Sequence, residues 1–254
     1  MDRAAAIDRH RGALMSFARL VGRGGESSSV IEHDGVVASI TPAVPDRSVV
    51  NSVTYRDTDA LAAAIEELAH TYENAGIRAW TVWVPEDDRE AAALLEETGH
   101  HLDATPMAMI ADLSTLAEPD EEELDWDAEA DATVVAQINN HAYGWTTGGG
   151  FGAAMARFAE IDGLRLYQAR IDGEPVCVLG AYDNGDDCEI YFVATLAEHR
   201  GKGLARRLLH RALLEARGRG LAISNLQATK MGYPVYERLG YEPICTLQMW
   251  ERRK

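Results

Sequence analysis

The residues best suited to chemistry lie in one short turn in the second half of the chain, Arg200-Gly201-Lys202-Gly203-Leu204-Ala205. The segment Cys188–Arg217 around it is predicted to run from a strand through this turn into a basic helix. A helix start offers unpaired backbone N–H groups and the positive end of a dipole, which suit an anion such as phosphate. The two glycines tolerate positive φ and leave room for close approach, and the arginine and lysine add positive charge. The pattern therefore predicts an anion-binding turn.

Charge is concentrated around this turn. The chain has a net charge of −17, which argues against nucleic acid and anionic membrane surfaces as partners. Between His199 and Gly220, seven Lys/Arg and one acid give a local charge of +6, which leaves −23 for the rest. A basic island in an acidic protein suggests a small polyanionic ligand, and an ordinary solvated helix face is the alternative.

Two other kinds of phosphate loop do not match this turn. A P-loop needs Gly-Lys followed by Ser or Thr, whereas Gly203 follows Lys202 here. A dinucleotide fingerprint needs three spaced glycines, and Ala205 leaves only two. The turn therefore belongs to another class.

The turn resembles the R/Q-x-x-G-x-G/A pyrophosphate motif of the GNAT N-acetyltransferases, with alanine in the permitted last position. The segment Pro234–Tyr241 resembles the late Tyr-Glu-x-x-Gly-aromatic signature of the same family. The resemblance covers the core of residues 131–254. It implies the GNAT fold, an α/β (α+β) fold with a mixed, mostly antiparallel central sheet flanked by helices. It also implies acetyl-CoA as co-substrate.

The resemblance assigns roles to particular residues. In this family the strand before the turn separates from its neighbour and binds the pantetheine arm, and the amides of the turn hold the pyrophosphate. The implied cofactor-binding residues are Val193, Ala194, Thr195, Arg200, Gly201, Lys202, Gly203, Leu204, Ala205 and Arg206. Tyr236 falls at the position of the family's general acid, which protonates the departing thiolate; a packing aromatic is the alternative. The family often has an asparagine where this chain has Ala228-Thr229-Lys230.

A general base and an acceptor site are less clearly marked. Glu189 is the candidate base, because a carboxylate on the central strand could take the proton of the amine, directly or through water. The alternative is that Glu189 faces solvent at one end of its strand. Tyr143 and Trp145 are the candidate acceptor-binding residues, in a loop of residues 141–147 that is predicted to form a lid beside Gly148-Gly149-Gly150. The alternative is a flexible connection with its aromatics in the core.

The same order of predicted strands and helices occurs twice along the chain, and the second copy would position these residues. Strand, strand, helix, strand, helix, strand can be read in each half, and Leu94–His100 parallels Val235–Tyr241. This predicts a degenerate N-terminal GNAT-like domain at residues 1–117, an acidic linker at 118–131 and a catalytic GNAT domain at 132–254. Coincidence between two generic α/β patterns is the alternative.

The first half lacks the chemical residues of the second. Its equivalent of the cofactor turn, Thr54–Asp59, has no glycine, and its two aspartates would repel a pyrophosphate. The counterpart of Tyr236 is Leu95. The layout is similar to that of tandem GNAT proteins of the mycothiol synthase type, in which one unit is degenerate.

The remaining signals are negative. No apolar run approaches the roughly 20 residues of a membrane-spanning helix. Residues 1–21 predict a surface helix rather than a signal peptide, so a cytoplasmic location is expected. Three cysteines, Cys177, Cys188 and Cys245, lack metal-ligand spacing and are predicted to be buried, and no metal is expected.

These observations predict an enzyme. It would transfer an acetyl group from acetyl-CoA to a primary amine of a small molecule or peptide by direct attack, with Tyr236 as general acid. A homodimer is left open as a further partner. The alternatives are a non-catalytic acyl-CoA-binding regulatory module and a purely structural tandem domain.

Overall fold

The computed structural model describes residues 2–118, 123–145 and 150–254, and the chain divides into two compact units. Unit 1 comprises Met1–Ala108 and Ile244–Lys254, and unit 2 comprises Met109–Pro243. The final strand thus belongs to unit 1, whereas the sequence pattern grouped it with residues 132–254. The described part of the acidic stretch 118–131 lies within unit 2. None of the helices in the described ranges is long and apolar enough to cross a membrane.

The elements follow in chain order. The helices are α1 (Arg3–Arg23), α2 (Thr58–Asn74), α3 (Arg89–Glu97), α4 (Ala132–Ala142), α5 (Gly150–Ala154), α6 (Leu204–Gly218) and α7 (Tyr233–Glu237). The strands are β1 (Ser29–His33), β2 (Val36–Ile40), β3 (Ser52–Tyr55), β4 (Ala79–Pro85), β5 (His101–Ala104), β6 (Met107–Asp112), β7 (Trp126–Asp127), β8 (Leu164–Ile171), β9 (Glu174–Asn184), β10 (Asp187–Thr195), β11 (Ile223–Ala228) and β12 (Glu242–Arg253).

The sheet of unit 1 is mostly antiparallel. Strands β1, β2 and β3 pair antiparallel in sequence, β3 and β4 pair parallel, and β12 pairs antiparallel with both β4 and β5. The one parallel pair of this series is joined through α2, as a parallel connection requires a crossover. Helix α2 packs an apolar stripe of Leu61, Ile65, Leu68 and Tyr72 into the core.

The sheet of unit 2 repeats this scheme. Strands β7, β8, β9 and β10 pair antiparallel in sequence, and β10 pairs parallel with β11. Helix α6 makes the crossover and packs against β8, β9 and β10, and α4 packs against β9 and β10. Each unit therefore has a mixed, mostly antiparallel sheet flanked by helices, as the sequence predicted. Each of these sheets contains one parallel pair of strands joined through a helix.

Several elements differ from the sequence pattern. Helix α1 is not a surface helix, because ten of its residues are buried, Phe17 and Leu20 among them. Its alternating alanines and charges obscured this face, since alanine contributes little to an apolar pattern. Strand β1 was not predicted from the sequence.

Candidate active site

The two parallel strands of unit 2 separate partway along their length. Pairing of β10 with β11 is confined to Asp187–Glu189 against Ile223–Asn225, although β10 continues to Thr195 and β11 to Ala228. The register of β10 against β9 shifts between Tyr191 and Ala194, which is a β-bulge. A gap therefore opens beside the second half of β10.

The bulge is built around Phe192, whose φ of 55° lies in the left-handed region that non-glycine residues rarely adopt. The side-chain amide of Asn139 on α4 donates to the Phe192 carbonyl at 2.9 Å and to the Val135 carbonyl at 3.1 Å. The Phe192 ring packs at 6.0 Å from that of Phe151 and 5.7 Å from that of Phe158. These contacts hold an otherwise unfavourable backbone in place. Sequence reasoning missed Asn139, since an asparagine within a helix gives no signal of its partner.

The glycine turn follows the gap. Gly201 and Gly203 have φ of 75° and 71°, so both positions need the freedom of glycine. Gly203 is the N-cap of α6, and no side chain within the described part of the chain caps this helix. By contrast, α1, α2, α3 and α4 are each capped by an aspartate, namely Asp2, Asp57, Asp88 and Asp131. The first amides of α6 are thus left for another acceptor.

The side chain of Arg200 holds the turn in place. Its Nε donates to the Thr195 carbonyl at 3.1 Å, and its Nη2 donates to the Ala142 carbonyl at 2.7 Å. The sequence predicted Arg200 as a phosphate-binding charge. In the structure its guanidinium also ties the turn to the end of β10 and to the C-terminal end of α4.

Several other basic side chains of the island bind carbonyl or carboxylate groups within unit 2. Arg207 donates to the Glu123 carbonyl at 3.3 Å, and Arg217 donates to the Leu116 carbonyl and to Glu118. His210 is buried and bonds to the Ala117 carbonyl at 2.8 Å. The part of the island that faces a ligand is therefore the turn and the first turn of α6, rather than the whole helix.

A cleft of about 340 Å³ unites the gap and the turn. Val193, Ala194, Thr195, Arg200, Gly201, Gly203, Leu204, Ala205, Arg206, Tyr143 and Tyr236 of the predicted site residues line it, and further lining residues include His199, Met231, Gly232 and Arg238. Lys202 is beside it, with its ammonium 3.4 Å from Nδ1 of His199. Charged side chains that line the cleft are basic in the described ranges, which suits a phosphate-bearing ligand.

Tyr236 lines the same cleft as the second half of β10. Its side chain is buried, and its ring packs edge-on against Tyr241 with a centroid distance of 5.9 Å. Burial raises the pKa of Tyr236 well above its ordinary value of 10.0, and the nearby Tyr143 and Cys177 raise it further. The phenol therefore keeps its proton at neutral pH and can act as a donor.

Glu189 lies elsewhere. It is fully buried and accepts hydrogen bonds from Asn184 and Tyr191, so it does not face solvent as the alternative interpretation held. It is at the point where β10 and β11 separate, opposite Asn225, and it is not among the residues that line the cleft. Asn225 has a buried side-chain oxygen without a hydrogen-bond partner among the described residues, so this polar cluster can accept a further donor.

Only one of the two predicted acceptor-binding residues lines the cleft. Tyr143 lines the cleft and donates its hydroxyl proton to the Val193 carbonyl at 3.1 Å. Trp145 is not among the lining residues, and its backbone amide donates to the Asn140 carbonyl at 2.8 Å. Of the predicted lid, residues 146–149 lie outside the described residues.

Comparison with known proteins decides the family. The profile of the acetyltransferase (GNAT) family matches residues 109–241, just over half of the chain. The chain belongs to the GNAT acetyltransferase family.

Solved structures of other GNAT proteins share its fold over nearly the whole length. A GCN5-related N-acetyltransferase from Kribbella flavida is 19% identical with a TM-score of 0.67, and 94% of each chain is covered. A GCN5-related N-acetyltransferase from Sphaerobacter thermophilus is 15% identical with a TM-score of 0.60, covering 86% of this chain and 80% of the other. A tandem GNAT protein from the clavulanic acid biosynthesis pathway is 13% identical with a TM-score of 0.56, covering 97% and 95%.

At the equivalent place in unit 1, the described residues enclose a much smaller pocket. Pairing of β3 with β4 is confined to Ser52–Val53 against Thr81–Val82, so these strands also separate. The pocket there, lined by Thr54, Tyr55, Trp83 and residues of α1, has a volume of only about 20 Å³. That is room for about one water molecule. The carboxylate of Asp57 accepts from the Ala60 amide and so occupies the start of α2.

The cysteines and metal ligands complete the description. Cys177, Cys188 and Cys245 are buried and free, as predicted. Burial raises the pKa of the Cys177 thiol to about 11, although it accepts a hydrogen bond from Thr195. In the described ranges no group of three or more His, Cys, Asp or Glu is placed to hold a metal ion.

Proposed function

We propose that this GNAT protein is an N-acetyltransferase that transfers the acetyl group of acetyl-CoA to a primary amine of a small molecule or peptide. The observation that carries the proposal is the uncapped start of α6, which opens on the same cleft as the buried phenol of Tyr236. The cleft thus combines a helix start that suits a pyrophosphate with a proton donor.

The residues present fit acetyl-CoA. The amides of residues 201–206 would hold the pyrophosphate, with Arg200, Lys202 and Arg206 supplying positive charge. The backbone of Val193, Ala194 and Thr195, on the part of β10 that β11 leaves uncovered, would hold the pantetheine arm. When bound, acetyl-CoA supplies an acyl group activated as a thioester.

Two side chains would manage protons. Tyr236 would donate its phenolic proton to the sulfur that leaves as the amine–carbonyl bond forms, which contributes typically about 10²- to 10⁴-fold to the rate. Glu189 is retained as the candidate base, and its burial outside the cleft wall means that a water or a hydroxyl must carry the proton to it. Tyr143 would contact the acceptor from the cleft wall, and Trp145 from the segment beyond it.

Unit 1 would not bind acyl-CoA, so the protein would have one working cofactor site. Its pocket is too small for a pantetheine arm, and the carboxylate of Asp57 stands where a phosphate would have to lie. Like charges at a few Å repel, so this helix start disfavours an anion.

A single pair of variants tests the cofactor site. Gly203→Asp places in α6 the carboxylate cap that α2 has, and Gly203→Asn places a side chain of the same size without the charge. Both residues tolerate left-handed φ better than other side chains. By calorimetric titration we expect wild type to bind acetyl-CoA and the aspartate variant to bind at least about 10-fold more weakly than the asparagine variant. Equal binding by the two variants, or none by wild type, would refute the site.

Turnover requires a second experiment. Thiol release from acetyl-CoA is measured with a panel of primary amines and of peptides with free N-termini. A reaction without added amine is the blank. Amine-dependent thiol release supports the transferase. Tight binding of acetyl-CoA without release for any acceptor would favour the other candidate, a regulatory acyl-CoA-binding module, for which the position of Glu189 outside the cleft wall is the specific observation.

A further inference from the structure

Two segments of unit 2 supply most of the lining of the cleft. Residues 193–206 belong to β10, the glycine turn and the start of α6, and residues 229–238 include α7. The proposed function draws its phosphate-binding charges from the first segment. In the second segment, Arg238 is the one basic side chain among the described residues that line the cleft.

Arg238 is not bound to the rest of the protein. It is exposed and directly follows the last residue of α7. Its guanidinium makes no hydrogen bond or ion pair with another residue of the described ranges. The guanidinium of Arg200, by contrast, donates to two backbone carbonyls. Because a guanidinium carries a permanent charge and five N–H donors, Arg238 is available to an anion that enters the cleft.

Arg238 therefore gives the cleft a second place for an anion, on a different element from the start of α6. Acetyl-CoA has two separate anionic groups, the pyrophosphate and the 3′-phosphate of its ribose. A phosphate monoester carries a charge of about −1.5 to −2 at neutral pH, and arginine binds it through two parallel hydrogen bonds. The helix start suits the first group, and Arg238 suits the second.

An exposed apolar side chain lies in the same segment. Met231 lines the cleft and is 71% exposed. A thioether makes favourable contacts with aromatic rings, and the adenine of acetyl-CoA is such a ring. Residues 229–238 thus combine an apolar contact with an unpaired cation in the described lining, which matches an adenosine that carries a phosphate.

Unit 1 differs at the corresponding position. In the parallel between Leu94–His100 and Val235–Tyr241, Glu97 stands where unit 2 has Arg238. Unit 1 also has the carboxylate of Asp57 at the helix start that corresponds to that of α6. The unit whose helix start is open to an anion therefore has arginine at this position, and the unit whose helix start is closed has glutamate. Both differences favour an anionic ligand in unit 2 and disfavour one in unit 1.

We propose that Arg238 binds the 3′-phosphate of acyl-CoA and so makes the cleft select CoA thioesters over those of dephospho-CoA. The selection rests on the proposed function, because it assumes that acyl-CoA occupies the cleft. It adds a specificity-determining residue on α7 to the phosphate-binding groups of the turn and α6.

Calorimetric titration of two variants with two ligands tests this selection. Acetyl-CoA and acetyl-dephospho-CoA differ only in the 3′-phosphate. Arg238→Gln removes the proposed contact, and Arg211→Gln, on α6 and not among the described lining residues, removes the same charge elsewhere in unit 2. At low ionic strength we expect wild type and Arg211→Gln to bind acetyl-CoA about 3- to 10-fold more tightly than acetyl-dephospho-CoA, the value of a partly exposed charge-assisted contact. Arg238→Gln should bind both ligands with the affinity that wild type has for acetyl-dephospho-CoA.

The outcomes separate the selection from the function. Equal binding of the two ligands by wild type would overturn the role of Arg238 while the cofactor site stands. A preference for acetyl-CoA that survives in Arg238→Gln would assign the 3′-phosphate to other basic side chains and overturn it as well. If that variant also had a raised KM for amines that bear a carboxylate, Arg238 would be an acceptor-binding residue. No binding of acetyl-CoA by wild type would refute the proposed function itself.

Discussion

Gly232 lies directly against the ring of Tyr236. A Cβ at position 232 would stand 2.9 Å from Cε2 of that ring and 3.4 Å from its hydroxyl oxygen. On another side the ring meets Tyr241 at a centroid distance of 5.9 Å, so it has little room to retreat. The φ of Gly232 is −77°, which any residue adopts, so this glycine is needed for space and not for backbone conformation.

Gly232→Ala should therefore displace the Tyr236 phenol without unfolding the protein. Misplacement of a catalytic group by about 1 Å can cost about 10²-fold in rate, so we expect kcat to fall about 10- to 100-fold while acetyl-CoA still binds. Gly218→Ala, in α6 with open space around the added methyl, is the control and should keep its activity. Steady-state thiol release measures both. An active Gly232→Ala enzyme would show that the position of Tyr236 does not matter.

Tyr236→Phe removes the proposed proton donor and keeps the ring. We expect kcat to fall about 10²- to 10⁴-fold and acetyl-CoA affinity to stay within about 2-fold, because the hydroxyl acts only as the thiolate leaves. A thioester of a more acidic thiol needs less protonation, so it should lose less activity in this variant. Full activity of Tyr236→Phe with acetyl-CoA would assign the ring to packing.

Glu189→Gln tests the candidate base. Glutamine can still accept from Tyr191, so folding should be retained while proton uptake is lost. If Glu189 takes the amine proton, kcat/KM should fall about 10²-fold or more, and its acidic limb should vanish from the pH–rate profile. A variant that loses stability but keeps the pH profile of wild type would make Glu189 a structural carboxylate.

Asn139→Ala leaves the bulge carbonyl of Phe192 without its side-chain donor. Loss of a typical hydrogen bond costs about 0.5–1.5 kcal/mol, so urea unfolding should show a loss of this size. Because the bulge positions the neighbouring backbone of Val193, acetyl-CoA affinity should fall as well. Gln137→Ala, exposed on the same helix, is the control and should change neither quantity. A loss of stability with unchanged affinity would separate the bulge from cofactor binding.

The buried His100 should make unit 1 less stable at acid pH. Its side chain is 4% exposed, packs edge-on against Trp80 at 4.5 Å, and burial lowers its pKa from 6.5 to about 4. The unfolded chain therefore binds this proton more readily, so the free energy of unfolding falls as the pH drops from about 6.5 to about 4, by up to about 3 kcal/mol. Urea unfolding at pH 7.5 and 4.5 measures the difference. His100→Gln should reduce it, and His101→Gln, at the exposed neighbour, should not.

The sequence was sufficient where a local pattern carries the information. The apolar stripe of α2 and its cap at Asp57 follow from 3.6-residue spacing and from an aspartate before it. The glycine turn before α6 could be predicted because glycine is the residue that most readily adopts the positive φ found at Gly201 and Gly203. The family resemblance then marked Tyr236 as the candidate general acid, and the fold prediction was confirmed.

Non-local partners could not be predicted in this way. Asn139 and Phe192 are 53 positions apart, and nothing in either neighbourhood marks their hydrogen bond. Arg200 was assigned to a phosphate because its charge is visible in the sequence, whereas the carbonyls it binds are not. The burial of Glu189 was hidden for the same reason, since a carboxylate at a strand end suggests solvent until its partners Asn184 and Tyr191 are known.

The pairing of β12 with β4 affects how the protein folds during its synthesis. Residues 247–253 complete a sheet whose other strands are translated before any of unit 2. During synthesis one edge of β4 therefore stays unpaired until residues 86–246, more than half of the chain, have been made. Unpaired strand edges favour wrong pairing. Unit 2 is continuous in sequence and can close first. A gene cut between the two units would release unit 2 nearly whole but leave unit 1 without one of its strands.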